Sequence, residues 1–284
     1  GGGWIYGMGN SLASLGLVVG LHYRNPLFDP HCAFQRWKTH PFLRRLLEGG
    51  RLVKYGAKTI PEGGYFSMPR LATDGAVIIG DSAGLLNSQR LKGIHLAIKS
   101  GMLAADAIFE AFVAGDFSAR QLASYEKAFQ ASWASRELWK VRNFHQAFES
   151  GLVRGVFHAA AQALTGGRGL YARYAAEAGR RRCRKLTEHP QQPPPRLQPD
   201  QRLTFDKLTD VFYAATRHEE DQPPYLLIHD TDICNGRCVR EFGNPCQYFC
   251  PAAVYEMVEK EGRKQIHLNP ANCVHCKTCD ILDP

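Results

Sequence analysis

The sequence predicts a mixed α/β (α+β) chain that ends in a small cysteine-rich domain. Three observations carry that prediction. Cysteines gather at the C-terminus, as Cys250-Pro251 followed by Cys273-Val274-His275-Cys276-Lys277-Thr278-Cys279. A short apolar run, Gly75-Ala76-Val77-Ile78-Ile79-Gly80, leads through Asp81-Ser82-Ala83-Gly84 into a long helix-patterned stretch at 93–112. A proline-rich segment from Thr187 to Gln201, with Pro190 and Pro193-Pro194-Pro195 at its centre, lies between the two and predicts an extended boundary.

With 284 residues the chain has room for two domains or one large one. Its 44% hydrophobic and 22% charged content is that of a globular protein. Nine cysteines, an odd number grouped at one end, point to metal ligation in a reducing compartment and not to a secreted disulfide framework. The net charge of +8 is not accompanied by any nucleic-acid motif, so no nucleic-acid partner is expected. Much of the excess is local, as in Arg180-Arg181-Arg182-Cys183-Arg184-Lys185. An anionic membrane surface or an acidic protein fits such a balance as well. The longest apolar stretch, Leu12 to Leu21, is too short to span a bilayer, which leaves peripheral attachment open. Residue 1 is a glycine inside what reads as folded sequence, so a piece of a longer protein is expected.

Three cysteines spaced C-x2-C-x2-C can wrap one face of an iron–sulfur cube, because two intervening residues let the backbone curl round it. A remote Cys followed by Pro supplies a fourth thiolate. By this spacing Cys250, Cys273, Cys276 and Cys279 are the candidate metal ligands. Zinc is the rival, since thiolates also suit a tetrahedral site, though zinc sites usually use two separated C-x2-C pairs. His275, inside the loop, is expected to support the site or face solvent. Cys32 and Cys183 stand alone and read as plain thiols.

Along the chain, Gly1 to Tyr23 fits two strands joined by a turn at Gly9-Asn10-Ser11. In the loop that follows, Leu27, Phe28, Phe34 and Trp37 stand near Arg24, Arg36 and Lys38. Aromatics beside cations can anchor at a membrane interface, and ordinary packing under a loop explains them equally. Residues 41–49 read as a short helix ending at Gly49-Gly50, and 51–71 as strands with a turn at Glu62-Gly63-Gly64. On the helix from Gly93, the apolar residues Ile94, Ala97, Ile98, Gly101, Ala104, Ala105, Ile108 and Phe109 form one face. Further helix is expected over 119–148, 151–164 and 203–211, and a strand at Tyr225-Leu226-Leu227-Ile228.

A strand ending in Gly-Asp, a small-residue turn and a long helix is a flavin-contacting pattern. Asp81 can accept hydrogen bonds from ribityl or ribose hydroxyls, the glycines admit close approach, and the helix N-terminus favours an anionic flavin. A helix-capping aspartate in any α/β turn explains the same residues.

Three longer stretches resemble the electron transfer flavoprotein–ubiquinone oxidoreductase family. They are Leu15-Gly-Leu-Val-Val-Gly-Leu-His-Tyr-Arg-Asn-Pro26 with Phe34-Gln-Arg-Trp-Lys-Thr-His-Pro41, then Leu91-Lys-Gly-Ile-His-Leu-Ala-Ile-Lys-Ser-Gly-Met-Leu-Ala-Ala105. The last is Cys250-Pro-Ala-Ala-Val-Tyr-Glu256 with Asn272-Cys-Val-His-Cys-Lys-Thr-Cys-Asp280. The resemblance implies the C-terminal part of an FAD-binding glutathione-reductase-like fold, with a quinone-binding region, followed by a ferredoxin-like 4Fe–4S domain. It implies a quinone-binding, membrane-facing region at 1–74, the end of the FAD domain and its following helices at 75–186, a linker at 187–201 and the cluster domain at 202–284. The four cysteines would hold the cluster. Gly80, Asp81, Ser82, Ala83, Gly84, Leu86 and Asn87 would contact FAD. The implied activity is electron transfer from electron transfer flavoprotein to ubiquinone, by a peripheral protein of the inner membrane. A related flavin dehydrogenase with another acceptor, or a simple iron–sulfur or zinc binding module, are the alternatives.

Two departures from the family pattern stand out. The family's GxGxxG turn is missing, so this stretch alone is expected to bind FAD poorly. Upstream, Cys238-x7-Cys246-x3-Cys250-Pro251 looks like half of a second cluster site, with Cys234 spare and Asp283-Pro284 where a further Cys-Pro would stand. An empty vestige is the first expectation there, and a labile second cluster the alternative.

Overall fold

A computed structural model describes residues 1–174, 177–195, 197–219, 221–223, 225–260 and 263–283. Arg196 of the proline-rich segment and Pro284 lie outside them. In chain order the elements are β1 (Gly2–Met8), β2 (Leu12–Val18), α1 (Pro30–Lys38), α2 (Pro41–Leu47), β3 (Ala72–Thr73), β4 (Ala76–Val77) and α3 (Ile94–Ala114). Then come α4 (Ala119–Ala131), α5 (Trp133–Lys140), α6 (Phe144–Ala147), α7 (Leu152–Thr165) and α8 (Lys207–Ala214). A π-turn at Cys234–Cys238 runs into α9 (Val239–Phe242), followed by α10 (Cys246–Phe249), β5 (Tyr255–Lys260), β6 (Arg263–Leu268) and α11 (Thr278–Leu282). The chain divides into two compact units. One joins Gly1–Thr59 to Ala178–Pro284, and the other is Ile60–Glu177.

In the first unit β1 and β2 form the expected antiparallel hairpin, with Trp4 opposite Gly16. A Cβ at Gly16 would sit 2.1 Å from the Trp4 ring, so a larger residue there would have to displace that exposed ring. The turn residue Gly9 takes φ +66°, open to glycine at no steric cost. Asp29 caps α1 by accepting from the Cys32 N–H at 2.9 Å, with Pro30 preset for the first turn. Its inner face carries His31, Gln35 and Lys38. The Asp210 carboxylate of α8 joins His31 Nε2 at 2.7 Å and accepts from Gln35 Nε2 at 2.8 Å, while Gln35 Oε1 accepts from the Phe205 N–H. This closed polar network pins α1 to α8.

Lys38 lies beside it, under the rings of Phe34 and Phe205 at 5.2 and 4.8 Å. Burial lowers its pKa to about 8, against the pull of Asp210 and Asp200. Between that value and the ordinary 10.5 the unfolded chain binds more protons than the folded one, so stability rises with pH there. Below about pH 8 the buried ammonium is a standing penalty. Lys38→Met is therefore expected to stabilise the protein at pH 7 by ~1–2 kcal/mol, with the advantage shrinking towards pH 10. Urea denaturation at both pH values reads this, and a destabilised variant at pH 7 would contradict it.

The second unit is built on α3, α4 and α5. Its core joins Ala83, Leu85, Leu96, Ala104 and Ala107 to Tyr125, Phe129, Ala134 and Leu138. Ser118 and Ser132 cap α4 and α5, and Gly115 ends α3 in the left-handed conformation.

Several expected elements are corrected. On α3 the buried face is Leu96, Ser100, Ala104, Ala107 and Ala111, whereas Ile94, Ile98 and Phe109 are exposed. Small residues let α4 approach closely, and periodicity does not say which of two faces finds a partner. The 75–80 strand shortens to β4, because its ladder partner is the two-residue β3. Residues 51–71 hold no strand; a 3-10 turn at Tyr65–Ser67 follows Gly64, whose φ is +75°. Tyr225–Ile228 is not a strand either. In the first of these stretches the Tyr55 N–H donates to the Tyr213 carbonyl of α8 instead of to a ladder partner.

Candidate functional site

Cys250 ends the α10 turn, and the Cys273–Cys279 loop leads from β6 into α11. Their side chains line one apolar cavity, together with Leu226, Phe249, Ala252, Val254, Tyr255 and Val274. It encloses about 330 Å³ counting its open mouth. Cys250 and Cys276 are buried, and Cys273 and Cys279 half-buried. The backbone turns its N–H groups onto the sulfurs. Val254 and Ala252 donate to Cys250, Asp280 donates to Cys279, and His275 N–H donates to Cys273 Sγ at 3.4 Å. Three non-glycine residues take left-handed φ to achieve this: Ala253 at +48°, His275 at +54° and Lys277 at +67°. Such curled backbone makes concave anion-binding nests, and strain of this kind gathers at functional sites.

The donor set fits a thiolate-held cluster: four sulfurs, backbone N–H groups aimed at them, and an apolar wall. Among the described residues no three His, Cys, Asp or Glu side chains close on a single metal ion. A cube instead spreads its ligands over four separate corners. Burial pushes the Cys250 and Cys279 thiols up, the state expected of such sulfurs before metal replaces their protons.

Spacing did not reveal the groups that support this loop. The Tyr255 O–H donates to Cys279 Sγ, and burial followed by that sulfur drives its phenol pKa far above the usual range. Tyr225 places its hydroxyl against Cys273, with the His218 and His275 rings packed at its side. His218 Nε2 meets the Cys273 carbonyl at 3.0 Å. Thr59 holds the Cys276 carbonyl twice, from its N–H at 3.0 Å and its hydroxyl at 2.9 Å. Lys207 Nζ donates to the Gln247 and Tyr248 carbonyls just ahead of Cys250 and pairs with Asp29 at 3.0 Å. Nothing local pointed to Thr59, 217 residues from its partner. His275 ends beside the loop, its ring among aromatics.

The other expected contacts fall in the second unit. Gly80–Ala83 is a 3-10 turn, with Gly80 at φ +63° and Gly84 at φ +73°. The Gly80 N–H donates to Ser100 Oγ at 3.0 Å. Asp81 and Ser82 are exposed, Gly84 is half-buried, and Ala83, Leu86 and Asn87 are buried. Asn87 donates to Glu137 Oε1 at 2.8 Å, and its own Oδ1 accepts from the Arg90 N–H. His95 bonds the same carboxylate and stacks on Trp133 at 5.8 Å. Burial opposes the Glu137 charge, but the bonds from Asn87 and His95 outweigh it and hold the pKa below the usual value. His95 is thus held between the Glu137 carboxylate and the Trp133 ring.

Of the loop residues weighed as an interfacial anchor, Leu27 is buried and Phe28, Phe34 and Trp37 are half-buried. The ordinary-packing reading holds for them. The exposed apolar side chains of this region are Trp4, Tyr6, Met8 and Leu12 on the hairpin, and Phe42 and Leu46 on α2. In the second unit α7 exposes Leu152, Val153, Val156, Phe157 and Leu164. No described helix is long and apolar enough to cross a membrane.

Comparisons with known proteins meet this geometry at both ends of the chain. Residues 201–284 match the family model described as electron transfer flavoprotein-ubiquinone oxidoreductase, 4Fe-4S. Residues 1–60 match the one described as ETF-QO, ubiquinone-binding. The chain therefore joins a ferredoxin-like 4Fe–4S domain to a ubiquinone-binding segment. The electron transfer flavoprotein-ubiquinone oxidoreductase of Pseudomonas aeruginosa is 42% identical over 287 residues, which cover all of this chain and 52% of the relative. The mitochondrial protein of that name from Homo sapiens is 38% identical over 297 residues, covering all of this chain and 48% of the relative. The one from Oryza sativa is 38% identical over 287 residues, covering 49% of the relative. The chain belongs to the electron transfer flavoprotein–ubiquinone oxidoreductase family and spans about half the length of the curated relatives it matches.

Proposed function

We propose that this chain is the quinone-binding, flavin-facing and iron–sulfur portion of an enzyme that passes electrons from reduced electron transfer flavoprotein to ubiquinone. The observation that carries this reading is that Cys250, Cys273, Cys276 and Cys279 line one apolar cavity. These four residues would ligate a 4Fe–4S cluster, which supplies a one-electron carrier. The protein's part is to exclude water with Leu226, Phe249 and Val254, and to set the potential through hydrogen bonds to sulfur. Tyr255 gives the clearest case. Its donation to Cys279 stabilises the more negative, reduced state, so Tyr255→Phe is expected to lower the cluster potential by roughly tens of millivolts with iron unchanged. A redox titration followed by EPR reads this, and an unchanged or raised potential would contradict it.

Gly80 to Asn87 would form one wall of an FAD site in a glutathione-reductase-like fold. Asp81 and Ser82 are free to reach a cofactor, while Gly80, Ala83, Gly84, Leu86 and Asn87 hold the turn in shape. The quinone segment at 1–60 and the exposed apolar face of α7 suit a peripheral position on the inner membrane. That is the cytoplasmic face in a bacterium, or the matrix face in a mitochondrion. An apolar route from the bilayer spares the isoprenoid tail a passage through water.

The test uses the full-length protein, purified anaerobically. Bound flavin, iron and the rate of ubiquinone reduction by reduced electron transfer flavoprotein are measured. The reading expects all three. A preparation with flavin and iron that leaves ubiquinone untouched would reject the acceptor, and one lacking iron would reject the site.

A further inference from the structure

The first unit carries a belt of arginines that the reading above does not use. We propose that Arg24, Arg180, Arg181, Arg184 and Arg240 form a docking surface for an acidic face of the electron-donating flavoprotein, next to the helix that carries Cys279. This rests on the electron-transfer function proposed above and adds to it the place where the donor sits.

The belt is assembled from three stretches far apart in the sequence. A 3-10 turn at Gly179–Arg182 lies so close to the chain after β2 that a Cβ at Gly179 would meet the Leu21 carbonyl oxygen at 2.5 Å. Just beyond it, the Arg184 N–H donates to the Arg24 carbonyl at 2.9 Å, and the Leu186 N–H to the Glu241 carbonyl of α9 at 2.7 Å. Gly243 ends α9 at φ +68°, and a Cβ there would strike Leu27 at 2.7 Å and Leu186 at 3.1 Å. Backbone bonds and close packing thus fix the three stretches side by side. The 3-10 turn also packs against α11.

All five arginines are exposed. The carboxylate that stands among them, Glu241, is already taken by Lys185 at 3.1 Å and Arg237 at 3.2 Å, and those bonds hold its pKa below the usual value. On α11, Asp280 is matched by Lys277 at 3.4 Å. Among the described residues none of the five arginines pairs with a carboxylate. Like charges gathered in this way repel one another, a cost that an oppositely charged partner removes. Every cation of the belt is an arginine. The planar guanidinium forks onto carboxylates and is more weakly hydrated than an ammonium, which makes it the cation enriched at protein interfaces.

A bilayer is the other surface that such a belt could meet. Membrane-interface segments set exposed aromatic or aliphatic side chains beside their cations. Here the apolar neighbours Tyr23, Leu186 and Val239 are half-buried, with Tyr23 packed on Phe28 and Leu186 on Gly243. The belt therefore offers charge without an apolar face to insert, which favours a protein surface. Its position suits a donor as well. Helix α11 begins at Thr278, and Cys279, its second residue, lines the cavity. A flavoprotein seated on the belt stands beside the site it must reach, and charge steering speeds such encounters by ~10–1,000-fold at low ionic strength.

The test measures docking apart from turnover. Full-length protein, with its flavin and iron quantified, is immobilised and titrated with oxidised electron transfer flavoprotein at low and high salt, as wild type and as the triple variant Arg180→Glu, Arg181→Glu, Arg184→Glu. Wild-type affinity should fall steeply with salt. The triple variant should bind at least about 10-fold more weakly at low salt, with its salt dependence flattened. Its kcat/KM for the reduced flavoprotein should fall in step, while ubiquinol oxidation by an uncharged dye keeps the wild-type rate. Equal affinity and equal salt dependence in the two proteins would overturn the belt and leave the proposed function standing. Weakened binding to vesicles of phosphatidylcholine and phosphatidylglycerol, with flavoprotein affinity unchanged, would assign the belt to the membrane and overturn the proposal. A wild type that holds flavin and iron and oxidises ubiquinol, yet binds no flavoprotein at any salt, would reject the donor itself and the docking surface with it. If the triple variant fails to fold, the double variant Arg180→Gln, Arg181→Gln decides: its affinity at low salt should fall about threefold, and an unchanged affinity overturns the proposal.

Discussion

Replacing Cys276 with serine is expected to strip the cluster and stop ubiquinone reduction. Cys276 is buried, its carbonyl is clamped by Thr59, and its sulfur faces the apolar cavity. A serine oxygen there is a shorter, harder donor that cannot reach the same corner without moving a backbone already held at both ends. Even residues outside a ligand set cost roughly 10–100-fold when removed. A ligand should therefore cost at least about 100-fold in quinone reduction, with about four irons lost per chain. Cys32→Ser and Cys183→Ser are the controls, since neither lies in the cavity. A Cys276→Ser protein with full iron and full activity would refute the assignment.

The second large effect concerns the frame that carries the site. Asp210 is 1% exposed and satisfies both His31 and Gln35, the residues that tie α1 to α8. From α8, Lys207 reaches the carbonyls that precede Cys250. Asp210→Ala leaves two buried polar groups without their acceptor, and breaking a buried pair in this way typically costs about 3–5 kcal/mol. Denaturant midpoints should fall accordingly, and cluster loss on mild heating should come earlier. Asp210→Asn keeps an acceptor oxygen and should cost less. An alanine variant as stable as wild type would mean that the network carries no net weight.

How much of this was legible in the sequence depended on distance along the chain. The hairpin at Gly9 is a local pattern and forms as the chain order implied, and the fold brings the four spaced cysteines to one cavity. The apolar stripe of α3 was legible as a helix pattern, but not which face packs: Ile94, Ile98 and Phe109 are exposed and the alanines are buried. A short apolar run such as Val77-Ile78-Ile79 becomes a strand only if a ladder partner lies beside it, and pattern alone does not supply one. The anchor candidates Phe34 and Trp37 turned inward, because Trp37 packs under the hairpin at Gly3. The least legible features were the long-range clamps from Thr59 and Tyr55, which only the folded chain brings to the cysteine loops.

The most direct measurement is EPR of the dithionite-reduced, anaerobically purified protein, run beside the Cys276→Ser variant. The account predicts a brown sample whose reduced form gives the rhombic signal of a one-electron-reduced 4Fe–4S cluster, absent or replaced in the variant. A colourless wild-type protein carrying zinc, or an iron signal indifferent to Cys276→Ser, would contradict it.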